Sequence, residues 1–547
     1  MKQALKNVFL KLAGLFALIL MIVSCDSSTS DDEKKSIFRY NEAVSLTSLD
    51  PAYAKDLPHI WVSNQLFNGL VSLDDKLDIV PTIAKSWDIS ANGLVYTFQL
   101  RKDVFFHESP AFPQKTRMVN ADDVVYSFNR ILNPTLASPG GWIFNYVEQT
   151  ETGYAFKALN DSVFEVRLKQ VFPPFLGMLS MPYAAIVPYE AIEFYGKDFR
   201  KNPVGTGPFY FQLWKEQVKL VMRKNENYFE QLDGKRLPFI DAVSVSFLAD
   251  KQIAFMEFVK GNLDFMSGID SRYKDELLTR NGRLRDKYSD KIYLLRQPFL
   301  NTEYAGFYID STLNKLDAEQ QRALRQLINY SIDREKMLRF LRNGIGRPAH
   351  SGMIPYGLPG FDTLEQIGYK YDKQKANDLL SEFNLGGTKI TLSTTADYTD
   401  LGKYIQSALT EVGLDASMEI LPAASMRQFR ANGSLPFFRA SWVADYPDAE
   451  NYLSLFYSKN AAPNGPNYTH FNNPVFDQLY EEAMQEINLH KRQNLYRQLD
   501  SLVMVDAPVI VLFYDEVLRF VQNKVKNLGS NPVNMLNLKQ VIIENEN

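Results

Sequence analysis

The chain has one cysteine, Cys25, in 547 residues, so it can form no intrachain disulfide and no cysteine-based metal site. Its five histidines, His59, His107, His350, His470 and His490, are scattered, with none at metal-pair spacing, which argues against a histidine-rich metal centre. There is no basic excess either. Sixty Lys and Arg stand against 64 Asp and Glu, a net charge of -4, so nothing suits the chain to a phosphate backbone and no nucleic acid partner is expected. A Gly-x-Ser-x-Gly elbow, a His-Glu-x-x-His pair and a P-loop are all missing. Gly205-Thr-Gly-Pro208 is no nucleotide loop, because a strand pattern follows it where a helix N-terminus is required. These absences point to a protein that is not an enzyme and that carries no cofactor and no metal. A secreted glycosidase built on two distant carboxylates is the weaker alternative, since its diagnostic is a spatial separation.

What is present reads as a large globular chain. At roughly 150 residues per domain the length accommodates three or four domains' worth of core. Hydrophobic residues make up 45% and charged residues 23%. Aromatics reach 13%, with 29 Tyr and 37 Phe, enough to supply amphipathic contact surface as well as core. Near the start, Lys2, Lys6 and Lys11 introduce an apolar run from Leu12 to Val23. That run is too short to cross a roughly 30 Å hydrocarbon core and suits the h-region of an export signal. Its end, Ile22-Val23-Ser24-Cys25, resembles the bacterial lipobox, in which the Cys is diacylated and becomes the new N-terminus. Residues 1–24 are then the signal peptide. Residues 25–36, polar and without apolar periodicity, are a lipidated tether. A membrane contact through this anchor places the protein in the cell envelope, facing the periplasm or the exterior.

Beyond the tether the pattern is mixed α/β. Tyr96, Phe98 and Leu100 alternate with polar residues, predicting a half-buried strand, and Asn120-Ala-Asp-Asp123 predicts a capped helix start with Asp123 adding charge to the first turn. Phe209 to Trp214 reads as a strand. Leu324, Leu327, Ile328 and Ile332 predict a helix, with a break at Ser331-Ile-Asp333 and a second helix ending by Gly344. Lys389 to Thr394 as a strand, Lys403 to Val412 as a helix and Asp415 to Leu421 as a strand make a βαβ unit with a parallel pair. A third strand, Phe437 to Trp442, runs into Val443-Ala-Asp445-Tyr-Pro. Ligands collect past the carboxyl ends of such strands, so this turn is the place to look for a site.

Ser48-Leu-Asp-Pro51, Gln65 to Val71, Tyr96 to Arg101, Asn120 to Phe128, Gly205 to Pro208, Ser331 to Arg334 and Trp442-Val-Ala-Asp445 together, in this order, resemble the extracytoplasmic peptide-binding receptors of ABC importers. The resemblance implies a periplasmic binding protein-like α/β fold, with two lobes around a ligand cleft and an extra third lobe. Lobe I would comprise 37–70, 184–295 and 510–547, lobe II 71–183, and lobe III 296–509. It implies a monomer that closes lobes I and III on a peptide and delivers it to a permease and its ATPase subunits. A metal chelate, haem or an oligosaccharide is the alternative ligand. The matched positions make Asp445 the acceptor of the ligand's α-ammonium, and Ser441, Val443 and Leu57 the places where main-chain groups bond the peptide backbone. Arg439 matches a cation that some members place near the ligand carboxylate, or else it is an ion-pair partner. Trp442 is either a cleft wall or core, and Asp333 and Arg334 brace helices. No Arg occurs from Leu392 to Lys403 to clamp a short ligand's carboxylate, which points away from a strict dipeptide specificity.

Overall fold

Alternating burial makes the first strand: Phe38 and Tyr40 of β1 (Ile37–Asn41) are buried while their neighbours are half-exposed. The computed structural model describes residues 35–151, 153–268, 270, 272–309, 316–361 and 366–544. The expected signal peptide, Cys25 and the tether as far as residue 34 lie outside the described residues. Among the described residues no helix is long and apolar enough to cross a membrane.

After β1, Asp56 caps helix α1 (Leu57–Leu66), its carboxylate accepting from the His59 amide. Next come β2 (Ala84–Ile89), β3 (Val95–Leu100), helix α2 (Ala121–Leu132), β4 (Phe156–Asn160) and β5 (Val163–Arg167). The four strands form a separate antiparallel sheet in the order β2-β3-β5-β4, inside the span expected for lobe II. The α2 start is a full capping box, Asn120 and Asp123 each accepting the other's amide at 3.1 and 2.9 Å. Asp123 does more than charge the first turn. It is 2% exposed, and Arg117 grips both its oxygens at 2.6 and 2.7 Å, because a buried carboxylate needs a counter-charge that a helix end alone does not supply.

The remaining strands are β6 (Phe209–Lys215), β7 (Lys219–Lys224), β8 (Ala242–Ser246), β9 (Phe265–Ser267) and the 16-residue β10 (Ile292–Phe307). Helices α3 (Ala318–Ser331) and α4 (Arg334–Arg342) follow, broken where the sequence pattern breaks. Asp333 caps α4, and the fully buried Arg334 donates to the Asn329 and Val511 carbonyls. The βαβ unit is β11 (Lys389–Thr394), α5 (Thr399–Glu411) and β12 (Asp415–Ile420), parallel from Lys389↔Asp415 to Thr394↔Ile420. Then come β13 (Phe437–Val443), helix α6 (Leu489–Asp506) and β14 (Val509–Gln522).

One 11-stranded sheet runs β6-β7-β8-β1-β9-β14-β10-β13-β11-β12, with a short strand at Arg347–Pro348 beside β14. Among the described residues its two halves meet through the long antiparallel pair β10 and β14, whose register slips between Pro298 and Thr302. The lobe boundaries expected at 295/296 and 509/510 therefore fall inside or at the start of strands that serve both halves. One buried cluster around Phe38, Tyr40, Trp61, Phe98 and Phe128 extends to Tyr452 and Tyr480, and a second, around Leu327, Ile390, Ile405, Phe437 and Leu512, fills the βαβ half. Gly207 is required where the strand β6 begins, since a Cβ there would stand 2.3 Å from the Gln65 carbonyl oxygen.

Candidate ligand-binding site

Three parallel strands, β12, β11 and β13, end at Ile420, Thr394 and Val443, and it is past such carboxyl ends that α/β sheets present groups to ligands. The inner edge of β13 is zipped to β10 from Phe307↔Phe437 to Asn301↔Val443. The outer edge meets β11 at Ser393↔Phe438 alone, so among the described residues no strand lies beside Ala440 to Val443 on that side. An open strand edge of this kind offers backbone donors and acceptors to an added extended chain, whatever its side chains. Ser441 and Val443 are on it, and Val443 is 45% exposed although apolar.

The turn after β13 is built on buried Asn451. Its side-chain oxygen accepts from the Trp442 indole at 2.7 Å and from the Asp445 amide at 3.4 Å, while the Ala444 amide and the Tyr452 hydroxyl both donate to the Leu300 carbonyl. Trp442 is half-buried and packs against the main core. Asp445 is different. Solvent reaches it and no cation pairs with it among the described residues, yet the surrounding protein raises its pKa to about 6 by desolvation. The groups within electrostatic reach of it, Tyr183, Glu450 and Tyr452, carry no positive charge. Glu450 is itself buried, accepts from the Tyr446 and Tyr480 hydroxyls, and is pushed up to about 7 by burial.

Leu57 opens α1, half-buried, directly after Asp56. Asp56 is held by the His59 ring at 2.5 Å, and that ring's other nitrogen accepts from the Thr47 amide at 3.1 Å, which fixes the loop. The Tyr183 phenol, raised to about 12 by burial, also feels Asp445 and Asp56, so the β13 turn and the Leu57 loop approach one another across it. Arg439 is not free for a ligand carboxylate: both its Nε and NH2 groups are engaged by the two oxygens of Glu303, and its guanidinium lies 3.2 Å from the centroid of the Tyr398 ring. Sequence reasoning missed Asp56, Tyr183, Glu303 and Asn451. Asp56 had a visible signal, an N-cap residue followed by proline in the first helical turn. Among the described residues no three His, Cys, Asp or Glu are grouped to hold a metal ion.

The chain matches the family described as bacterial extracellular solute-binding proteins, family 5, over residues 78–464. It belongs to that family. The solute-binding protein is 28% identical to heme-binding protein A of Haemophilus influenzae, over 91% of its own length and 92% of that protein's. It is 25% identical to the dipeptide-binding protein of Escherichia coli, covering 98% of this chain and 100% of that one. It also shares its fold with an ABC transporter-associated periplasmic binding protein from Helicobacter pylori solved in complex with a peptide. The TM-score there is 0.74 at 23% identity, over 94% of this chain and 100% of that one. Family members are extracytoplasmic solute-binding proteins.

Proposed function

We propose that this solute-binding protein captures peptides bearing a free α-amino group and delivers them to an ABC importer. The observation that carries the reading is Asp445, a partly desolvated carboxylate without a counter-ion, two residues past the exposed end of an open strand edge. A peptide added along β13 pairs its backbone with that edge and sets its ammonium against Asp445, which fits ligands of any side chain. Lobes I and III close over it about β10 and β14, where the register slip marks a bend. The dipeptide-binding relative supports the ligand class, and the heme-binding relative keeps a non-peptide solute as the second reading.

Calorimetry with a peptide and its N-acetylated form tests the reading. The free amine should bind at least about 30-fold more tightly, as removal of one partner from an enclosed charge pair costs roughly 2 kcal/mol or more. The same peptide should reduce the radius of gyration in solution. Equal binding of both forms would falsify the ammonium role and move haem or another non-peptide solute ahead.

The protein is held in the envelope by lipid on Cys25, a position supported by the apolar run and small residues before it. Two acyl chains give stable attachment where one gives only marginal binding. Metabolic labelling with a fatty-acid analogue should mark the wild type and miss Cys25→Ser, and label retained by the variant would defeat the anchor.

A further inference from the structure

We infer that Glu303 withholds Arg439 from the ligand, so that the cleft reads the amino end of a peptide and leaves its carboxylate unrecognised. The inference rests on the peptide-binding reading above and concerns the other end of the same ligand.

Arg439 lies on β13 six residues before Asp445, on the strand face shared by Ser441 and Val443. In the β10 to β13 ladder Glu303 faces Ser441, so its carboxylate sits level with Ser441, two pairs short of the exposed strand end at Val443. Asp445 follows Ser441 by four residues, two on the strand and two in the turn, a separation of at most about 13 Å at the strand rise, which a peptide of three to five residues can span. A ligand carboxylate would thus arrive beside this guanidinium.

It would find the charge already used. Nε and NH2 meet the two Glu303 oxygens in the fork geometry, with NH2 to Oε2 at 2.5 Å, and the guanidinium plane is stacked on Tyr398. The side chains of Arg439 and Glu303 are 13% and 2% exposed. The other charges that act on Glu303, Arg342 and Asp515, are paired with each other at 2.5 Å, so Arg342 is not free to neutralise a newcomer. A ligand carboxylate that met the remaining edge of Arg439 would share a cation already neutralised, and one that took the fork would have to expel Glu303 from its ion pair. That strands an almost fully enclosed carboxylate, a loss that one solvent-facing ion pair does not offset. The ligands favoured are therefore peptides whose carboxyl end is amidated or lies beyond the cleft, and peptide length is not measured by charge at this end.

The test is calorimetry with alanine peptides of three to five residues, all with free amino ends, each as the free acid and as the C-terminal amide. The proteins are the wild type, Glu303→Gln and the double variant Glu303→Leu with Arg439→Met. The wild type should bind acid and amide within about threefold. Glu303→Gln, which frees the guanidinium, should prefer the acid by at least about tenfold at one or more lengths, and the double variant should lose that preference. A wild type that prefers the acid tenfold, with the preference abolished in the double variant, overturns the inference even if Glu303→Gln does not fold. So does a folded Glu303→Gln that binds both forms equally. Binding of neither form by the wild type overturns the peptide-binding reading itself, and this inference with it, whereas equal binding by a folded Glu303→Gln leaves that reading standing.

Discussion

Arg439 and Asp445 are six residues apart on one strand and its turn, both charged, and both expected from the sequence resemblance to meet the ligand, yet the fold treats them oppositely. Arg439 is enclosed, given a two-point partner in Glu303 and laid on an aromatic ring. Asp445 is left open to solvent with no cation, while desolvation already strains its charge. A buried charge that has its partner is part of the architecture. One that lacks a partner, exposed just past a strand end, is where a ligand can supply what the protein does not.

The contrast is sharpest in stability. Arg439→Met leaves Glu303 2% exposed and unpaired, and should lower unfolding free energy by about 3 to 5 kcal/mol. Asp445→Asn, at an exposed position, should change it by less than about 0.5 kcal/mol. Urea denaturation of the two variants measures both. Comparable losses would mean that Asp445 is also held by the fold and would erase the distinction.

In binding the order reverses. Asp445→Asn keeps shape and removes charge, so affinity for a free-amine peptide should fall at least about 30-fold, and the variant should barely distinguish free from acetylated peptide. A variant that still strongly prefers the free amine would place the ammonium elsewhere.

A smaller effect follows from protonation. The ligand-free Asp445 has its pKa raised to about 6 by desolvation, and an ammonium ligand pairs only with the ionised form. Proton and ligand then compete, so affinity should be greatest near pH 7, fall about tenfold for each pH unit below 6 down to the lower pKa of the complex, and fall again above the ligand amine's own pKa of about 8. Titrations at pH 5, 6 and 7 check the sign; affinity that rises on acidification would exclude a carboxylate acceptor, and Asp445→Asn should flatten the acidic limb of the profile.

Much of the scaffold was readable because its signals are local. Tyr96 to Leu100, the capping box at Asn120 and Asp123, the break at Ser331 to Asp333 and the βαβ unit from Lys389 to Ile420 each depend on neighbours within a few residues. Several segments that carry the family likeness turn out to be bracing. Asp50 is locked by Arg130 and caps its own turn, Gly205-Thr-Gly permits a close backbone approach, and Arg334 feeds three carbonyls. The lobe boundaries were blurred for the opposite reason. β10 and β14 are continuous strands in both halves of the sheet, and an apolar run carries no mark of which neighbour it will pair with at each end.

The sequence by itself determined local elements such as the strand at Tyr96 to Leu100, the capping box at Asn120, the βαβ unit and the position of the carboxylate past the third parallel strand, because side-chain periodicity and capping act over one or two turns of chain. Only the tertiary structure decided which charges are spent. Glu303 meets Arg439 across 136 positions of sequence, Asp56 and Asp445 approach Tyr183 from far apart in the chain, and β13 outruns β11 by a few residues to leave an edge open. Pairing of that kind depends on distance in space and on the solvent that burial removes, and neither is written in the order of residues.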